Sequence, residues 1–314
     1  MIPQFIFDSH TPKEKAYATE NKCNYPGCTC KAINSHVMQR SRYVKSIAED
    51  GLVLQMTDEH LQPLLDGDEN GNPFKLLSTK QAMSLPIYCE DRQHDQKPFK
   101  AIEQKEMNLD SFDTFLRLSY RAYCAARAQE QRRSIRYEII PTINTFCQGE
   151  LFNMQKDYSH MVVEAMAVGI AQCYICMKEK RYEDYTFKRF TTPTRIPVCL
   201  SDCIFVEEKL MEALGSKTPL SPLFVHVLPY PDRTEVLVGY EVIHKTDFID
   251  SVFKEWETDN YLRSMLHMMA YANTWCVSPS FFGDTTEDRT AVCEHIFEDK
   301  IEFQMEGKYY KSPE

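Results

Sequence analysis

Nowhere in these 314 residues is there an uncharged apolar run long enough to span a bilayer. The most apolar stretch, MVVEAMAVGIAQCYICM (161–177), carries Glu164 and falls short of the roughly 20 residues a span needs. The opening residues MIPQFIFDSHTPKEK have no basic segment followed by an apolar one, so no secretory leader is expected. GxGxxG, P-loop and GxSxG motifs are all missing. There is no internal repeat, no low-complexity tract, and no collagen-like, mucin-like or disordered bias. Positive charge is in deficit. Lys and Arg number 36 against 46 Asp and Glu, a net charge of −10. That argues against a protein that coats nucleic acid electrostatically. A local basic groove stays possible, and so does a nuclease whose metal ions offset repulsion where it cuts.

Cysteine, by contrast, is plentiful at twelve. Without a leader the expected setting is the reducing cytoplasm, where clustered cysteines suggest metal ligands or buried thiols more than disulfides. Three cysteines and a histidine fall within CNYPGCTCKAINSH (23–36), a polar segment.

Residues from about 23 to 103 read as irregular. GLVLQMT (51–57) is a short strand candidate, MTDEHLQPLL (56–65) a helical turn, and GDENGNP (67–73) a turn cluster. From Asp110 the pattern becomes helical, with Phe112, Phe115, Leu116, Tyr120, Tyr123 and Cys124 near one face. A longer helix is expected over 151–185. Its broad stripe of Met161, Val162, Ala165, Met166, Val168, Ile170, Cys173 and Ile175 suggests burial in a larger core. RIPVCLSDCIF (195–205) reads as a strand and residues 222–243 as a hairpin around PYPDRT. Helical periodicity returns over 248–275, and the tail EGKYYKSPE is polar. The expected fold class is therefore α+β. A small Cys/His-rich module over 1–108 precedes a larger, mainly helical domain over 109–314 with a minor antiparallel sheet.

Pro26 and Gly27 let the chain reverse between Cys23 and Cys28, so both thiolates can face one ion. Cys30 is the alternative to Cys28. The best second pair is Cys89 and His94 in IYCEDRQHDQKPFKAIE (87–103), which would close a Cys3His site. His36 competes for the fourth position. CYIC (173–176) and CLSDC (199–203) lie in apolar helix and strand patterns and read as buried thiols. Arg127, Arg132, Arg133 and Arg136 form the most basic patch, which reads as a solvated helix end or a nucleic-acid cradle. His226 and His267 read as core histidines.

The knuckle, then SHV (35–37), then a ligand pair opening a helix and followed by a further metal-binding residue, resembles the HNH, or ββα-metal, treble-clef nucleases. The segments AINSH (32–36) and CEDRQHDQKPFKAIE (89–103) are also similar to segments of uncharacterised bacterial proteins. The resemblance implies a structural Zn²⁺ on Cys23, Cys28, Cys89 and His94. It implies His36 as the general base and Asp95 as ligand to a catalytic Mg²⁺ or Mn²⁺. Arg40, Arg42 and Lys45 in the basic run QRSRYVK would contact phosphates. The pattern departs from the family at Ser35, where an acidic residue or histidine is usual. It also lacks the middle asparagine, and VMQRSRYVKSIAED (37–50) reads as a helix instead of a strand. The functional expectation is a metal-dependent endonuclease acting on DNA or RNA, in bacterial or phage defence. The alternative is a non-catalytic zinc-stapled module that binds nucleic acid, or a protein through its helical domain. No membrane partner is expected.

Overall fold

The structure, a computed structural model, describes residues 21–56, 74–103, 107–143, 150–205, 222–258 and 260–283. The opening residues, the turn expected from Thr57 onward, the GDENGNP cluster and the polar tail lie outside them. The chain packs as two compact units, each assembled from separated segments. Among the described residues, unit 1 takes in 21–37, 84–103, 107–143 and 150–181, and unit 2 the remainder.

Unit 1 is a two-stranded antiparallel sheet with two long helices. Strand β1 (Ile33–His36) pairs with β4 (Ser84–Tyr88), with a register shift between Ile33 and Asn34. Pro86 in β4 is tolerated because the sheet has only edge strands. A short helix, α1 (Arg92–Asp95), follows β4. Helix α2 (Phe112–Ile143) and helix α3 (Glu150–Glu179) then pack against each other. The expected face of α2 is realised: Phe115, Leu116, Tyr120, Tyr123 and Cys124 are all buried. Gly169 of α3 allows close approach, since a Cβ there would lie 2.1 Å from the Tyr123 hydroxyl. The stripe read on α3 is only half buried. Val162, Met166, Ile170 and Cys173 face inward, whereas Met161, Val168 and Ile175 are exposed. The apolar stretch of α3 extends over Asp157–Glu179, long and apolar enough to cross a membrane by length and composition alone, and 44% of its most apolar 18-residue window is buried.

Unit 2 corrects the expected fold class. Its main element is a seven-stranded antiparallel sheet of order β3-β2-β9-β6-β7-β8-β5, so the sheet is major and the region past residue 109 is not mainly helical. The strands are β2 (Leu52–Met56), β3 (Phe74–Ser78), β5 (Tyr185–Thr192), β6 (Val198–Ile204), β7 (Leu223–Pro229), β8 (Thr234–Glu241) and β9 (Trp275–Val277). Four of them, β6, β7, β8 and β9, are buried at every position. A strand covered on both faces shows no alternation of apolar and polar residues, which is why the sheet's extent escaped the sequence pattern. The hairpin read at 222–243 is β7–β8, paired from Phe224↔Gly239 to Pro229↔Thr234.

The helical pattern over 248–275 is two helices. Helix α4 (Asp247–Trp256) is capped by Thr246, whose hydroxyl accepts from the Ile249 amide at 3.2 Å, and helix α5 (Tyr261–Tyr271) follows. Trp256, Met265 and Met269 join Val225, Val238 and Trp275 in one apolar core. Cys173, Cys176, Cys199 and Cys203 are buried thiols, as read from the sequence. His226 is fully buried, and desolvation lowers its pKa to about 3 and keeps the ring neutral. His267 sits 3.1 Å from Glu255.

Glu235 on β8 has a fully buried carboxylate held by Arg189, Arg233 and Thr191. Burial alone would raise its pKa, but the hydrogen bonds from these three residues bring it from 4.5 down to about 2. The folded pKa is depressed, so this stabilisation is present above pH 4.5 and is lost as pH falls toward 2. Both arginines are partly solvated, which screens the pair, so Glu235→Gln should cost about 2 kcal/mol at neutral pH. Urea denaturation of wild type and variant across this range should show the gap closing as the solution is acidified.

Candidate metal centre

The first ligand pair is set by a tight turn. Tyr25, Pro26, Gly27 and Cys28 close with the Cys28 amide donating to the Tyr25 carbonyl at 3.0 Å. Gly27 has φ +78°, the left-handed conformation that a Pro-Gly turn of this kind requires and that side chains disfavour. The Tyr25 amide points at Cys23 Sγ, 3.5 Å away, so the knuckle backbone itself stabilises a thiolate. The second pair comes from the strand end and the next helix. Cys89 follows β4 directly, and His94 lies in α1, whose first turn is capped by Asp91 accepting from the Gln93 amide at 2.8 Å.

The ligand atoms of Cys23, Cys28, Cys89 and His94 all lie within 4.8 Å of one another. Cys28 Sγ is 3.9 Å from Cys89 Sγ, and His94 Nδ1 is 3.8 Å from Cys23 Sγ and 3.1 Å from Cys89 Sγ. A tetrahedral ion with Zn–S near 2.3 Å and Zn–N near 2.05 Å needs edges of about 3.5–3.8 Å. The group therefore could bind a metal such as zinc with little movement. Cys30 is exposed and stands outside the group, so the structure selects Cys28 between the two candidates. His36 is not part of the group either. Burial pushes the Cys23 thiol up to about 12. A cation that displaces the proton is what makes a thiolate favourable there.

No local pattern announces what braces this cluster. The Tyr25 ring stacks on the His94 imidazole with centroids 3.9 Å apart and planes 13° from parallel. The Tyr25 hydroxyl meets Tyr174 of α3 at 2.6 Å. His94 Nε2, the nitrogen facing away from the thiols, lies 3.9 Å from the Asp91 carboxylate, which orients the ring. Asn24 is tied to the Ile87 backbone by its amide at 2.9 Å and its side chain at 3.1 Å. Arg127 Nη1 donates to Asn24 Oδ1 at 2.8 Å and its Nε to the Val163 carbonyl at 3.0 Å. Arg127 is thus a strut between knuckle and helices, not part of a solvated basic patch.

Next to the ligands lies a second polar group. His36 ends β1, and Asp95 follows the ligand His94. Burial raises the Asp95 carboxyl above its ordinary value. Arg121 and His36 counter that with positive charge, Glu103 adds to it, and the Ser35 side chain lowers it again. Arg121 is almost wholly buried, pairs with Glu103 at 2.8 Å, and lies with its guanidinium 3.9 Å from the centre of the Phe99 ring. Arg121 and Glu103 were not singled out in the sequence. The available signal was an arginine in the buried register of α2, because a charge in that position needs a paired carboxylate.

The three cations read as phosphate contacts, Arg40, Arg42 and Lys45, belong to unit 2, in the π-helical stretch Arg40–Val44 and the short helix Lys45–Ile47 that realise part of the helix expected over 37–50. Arg42 donates to the Tyr230 hydroxyl at 3.4 Å and lies 5.1 Å from the centre of that ring. Comparison with protein-family models, curated proteins and solved structures returns no match.

Proposed function

We propose that the chain is a metal-dependent endonuclease of HNH-like design, with zinc on Cys23, Cys28, Cys89 and His94 in a purely structural role. Four protein ligands close the coordination shell, so that ion holds the knuckle and α1 together and takes no substrate. The observation that carries the reading is that Asp95 lies within electrostatic reach of His36, Arg121 and Glu103, with Arg121 paired to Glu103 at 2.8 Å, next to His94 of the Cys3His group. His36 takes the proton from the attacking water, a task suited to a neutral imidazole. Asp95 supplies a hard carboxylate for Mg²⁺ or Mn²⁺, which when bound offsets charge on the phosphate and the leaving oxygen. Arg121 holds Glu103 in place beside this pair. Arg40, Arg42 and Lys45 are the proposed phosphate contacts of unit 2, where Arg42 is already engaged by Tyr230. The setting is cellular defence against foreign nucleic acid.

The test is nicking of supercoiled plasmid and of RNA by the purified, zinc-loaded chain, with Mg²⁺, with Mn²⁺, and with neither. Divalent-dependent cleavage is the expected result. Full zinc content with no cleavage of either substrate would leave the reading to a zinc-stapled binding module.

A further inference from the structure

Helix α3 carries two apolar faces where packing in its own unit needs one. Val162, Met166, Ile170, Cys173 and Met177 form the buried face. On the other side Met161, Val168 and Ile175, spaced seven residues apart, are 47%, 52% and 39% exposed. Half-buried Ala165 and Gln172 lie beside them at the complementary three- and four-residue steps. A seven-residue apolar repeat along one line of a helix is the seam of helix pairing. The charges flanking this line are ordered. Asp157 and Glu164, both exposed, occupy its N-terminal end, and exposed Lys178 its C-terminal end, all at seven-residue multiples of one another.

We propose that this face docks a second copy of the chain, α3 against α3, in antiparallel orientation. A two-fold axis at Val168 sets Met161 of one copy opposite Ile175 of the other. It also brings the acidic end of each helix to the lysine end of its mate, so that Asp157 and Lys178 pair twice. A parallel pair along the same seam would leave Asp157 and Lys178 at opposite ends and on opposite sides of it, so only the antiparallel pair lets them meet. Glu164 sits among the apolar positions and favours a protein mate with ordered charges over a lipid surface. The seam also shares its helix with Tyr174, the brace of Tyr25 and His94. Dimerisation therefore stiffens the helix on which each metal centre leans.

Sedimentation velocity of the zinc-loaded chain up to about 100 µM is the test, since a seam of this size gives a modest, concentration-dependent dimer. The wild type should sediment as a dimer. Val168→Lys should be monomeric throughout, with unchanged zinc content and circular dichroism, because the position is on the surface. Lys178→Glu should weaken the dimer about tenfold through two symmetry-related contacts, and Asp157→Lys with Lys178→Glu should restore it. A wild type monomeric at the highest concentration overturns the proposal, and so does a dimer indifferent to Val168→Lys. A dimer broken by Val168→Lys but not rescued by the charge exchange overturns the antiparallel arrangement.

Discussion

Replacing Cys89 with serine should strip the chain of its zinc and release the knuckle, β1, β4 and α1, while leaving the α2–α3 pair helical. The reason is how little else holds that element. It has two short strands, a four-residue helix and a handful of buried apolar residues such as Ile87, Tyr88 and Phe99. Elements of this size seldom bury enough apolar surface to fold alone. Structural zinc contributes on the order of 10–16 kcal/mol of apparent binding energy, comparable to the whole stability of an ordinary domain. Serine keeps the shape at residue 89 but is a poor ligand for a soft ion, and the remaining three cannot compensate. The measurement is metal content by elemental analysis together with limited proteolysis. The expected results are about one zinc per chain in the wild type, almost none in the variant, and new cleavage between residues 23 and 103. Cys30→Ser is the control. Its thiol is exposed and outside the ligand group, so zinc and protease resistance should both survive. Loss of zinc in Cys30→Ser, or full zinc in Cys89→Ser, would mean the ligands are wrongly assigned.

The grouping of Cys23, Cys28, Cys89 and His94 could be read from the sequence because its signals are local. Pro26 and Gly27 announce a reversal between two cysteines, and Cys89 and His94 repeat the same four-residue gap. The choice between Cys28 and Cys30 needed coordinates, since both lie within reach of the turn. The braces of the site were invisible for another reason. Tyr25 finds Tyr174 and Arg127 finds Asn24 across separations of 149 and 103 residues, and no periodicity encodes such partners. The fold divides the same way. Helices α2 and α3 follow from their spacing, and β2, β6 and the β7–β8 hairpin from their composition. What the pattern could not supply was the assembly of one large sheet. Strand β9 is three residues long, and the central strands β6, β7 and β8 lack alternation. The two strands that frame the metal centre are separated by the segment 38–83, all of which belongs to unit 2.

His36→Ala should retain its zinc and lose cleavage by about 10²–10⁴-fold, the usual contribution of a positioned general base. Retention follows from geometry, because His36 lies outside the four-ligand group. It ends β1 opposite Ser84, and truncating a half-buried ring there leaves the β1–β4 register in place. Asp95→Asn should fall at least as far for a different reason. The amide keeps the size of the carboxylate but removes the charge that a divalent cation needs, and the neighbouring His94 still binds zinc. The two variants then separate by metal titration. Raising Mn²⁺ should recover part of the Asp95→Asn activity and none of the His36→Ala activity, because only the first defect is one of metal affinity. Zinc lost on His36→Ala would make the histidine a ligand. Equal activity in wild type and both variants would assign any cleavage to a contaminant or to another site. A wild type that binds nucleic acid without cutting it, with zinc in place, would make the His36–Asp95–Arg121–Glu103 group a recognition surface. In that case Glu103 and its buried partner Arg121, and not the base, would be the residues to change next.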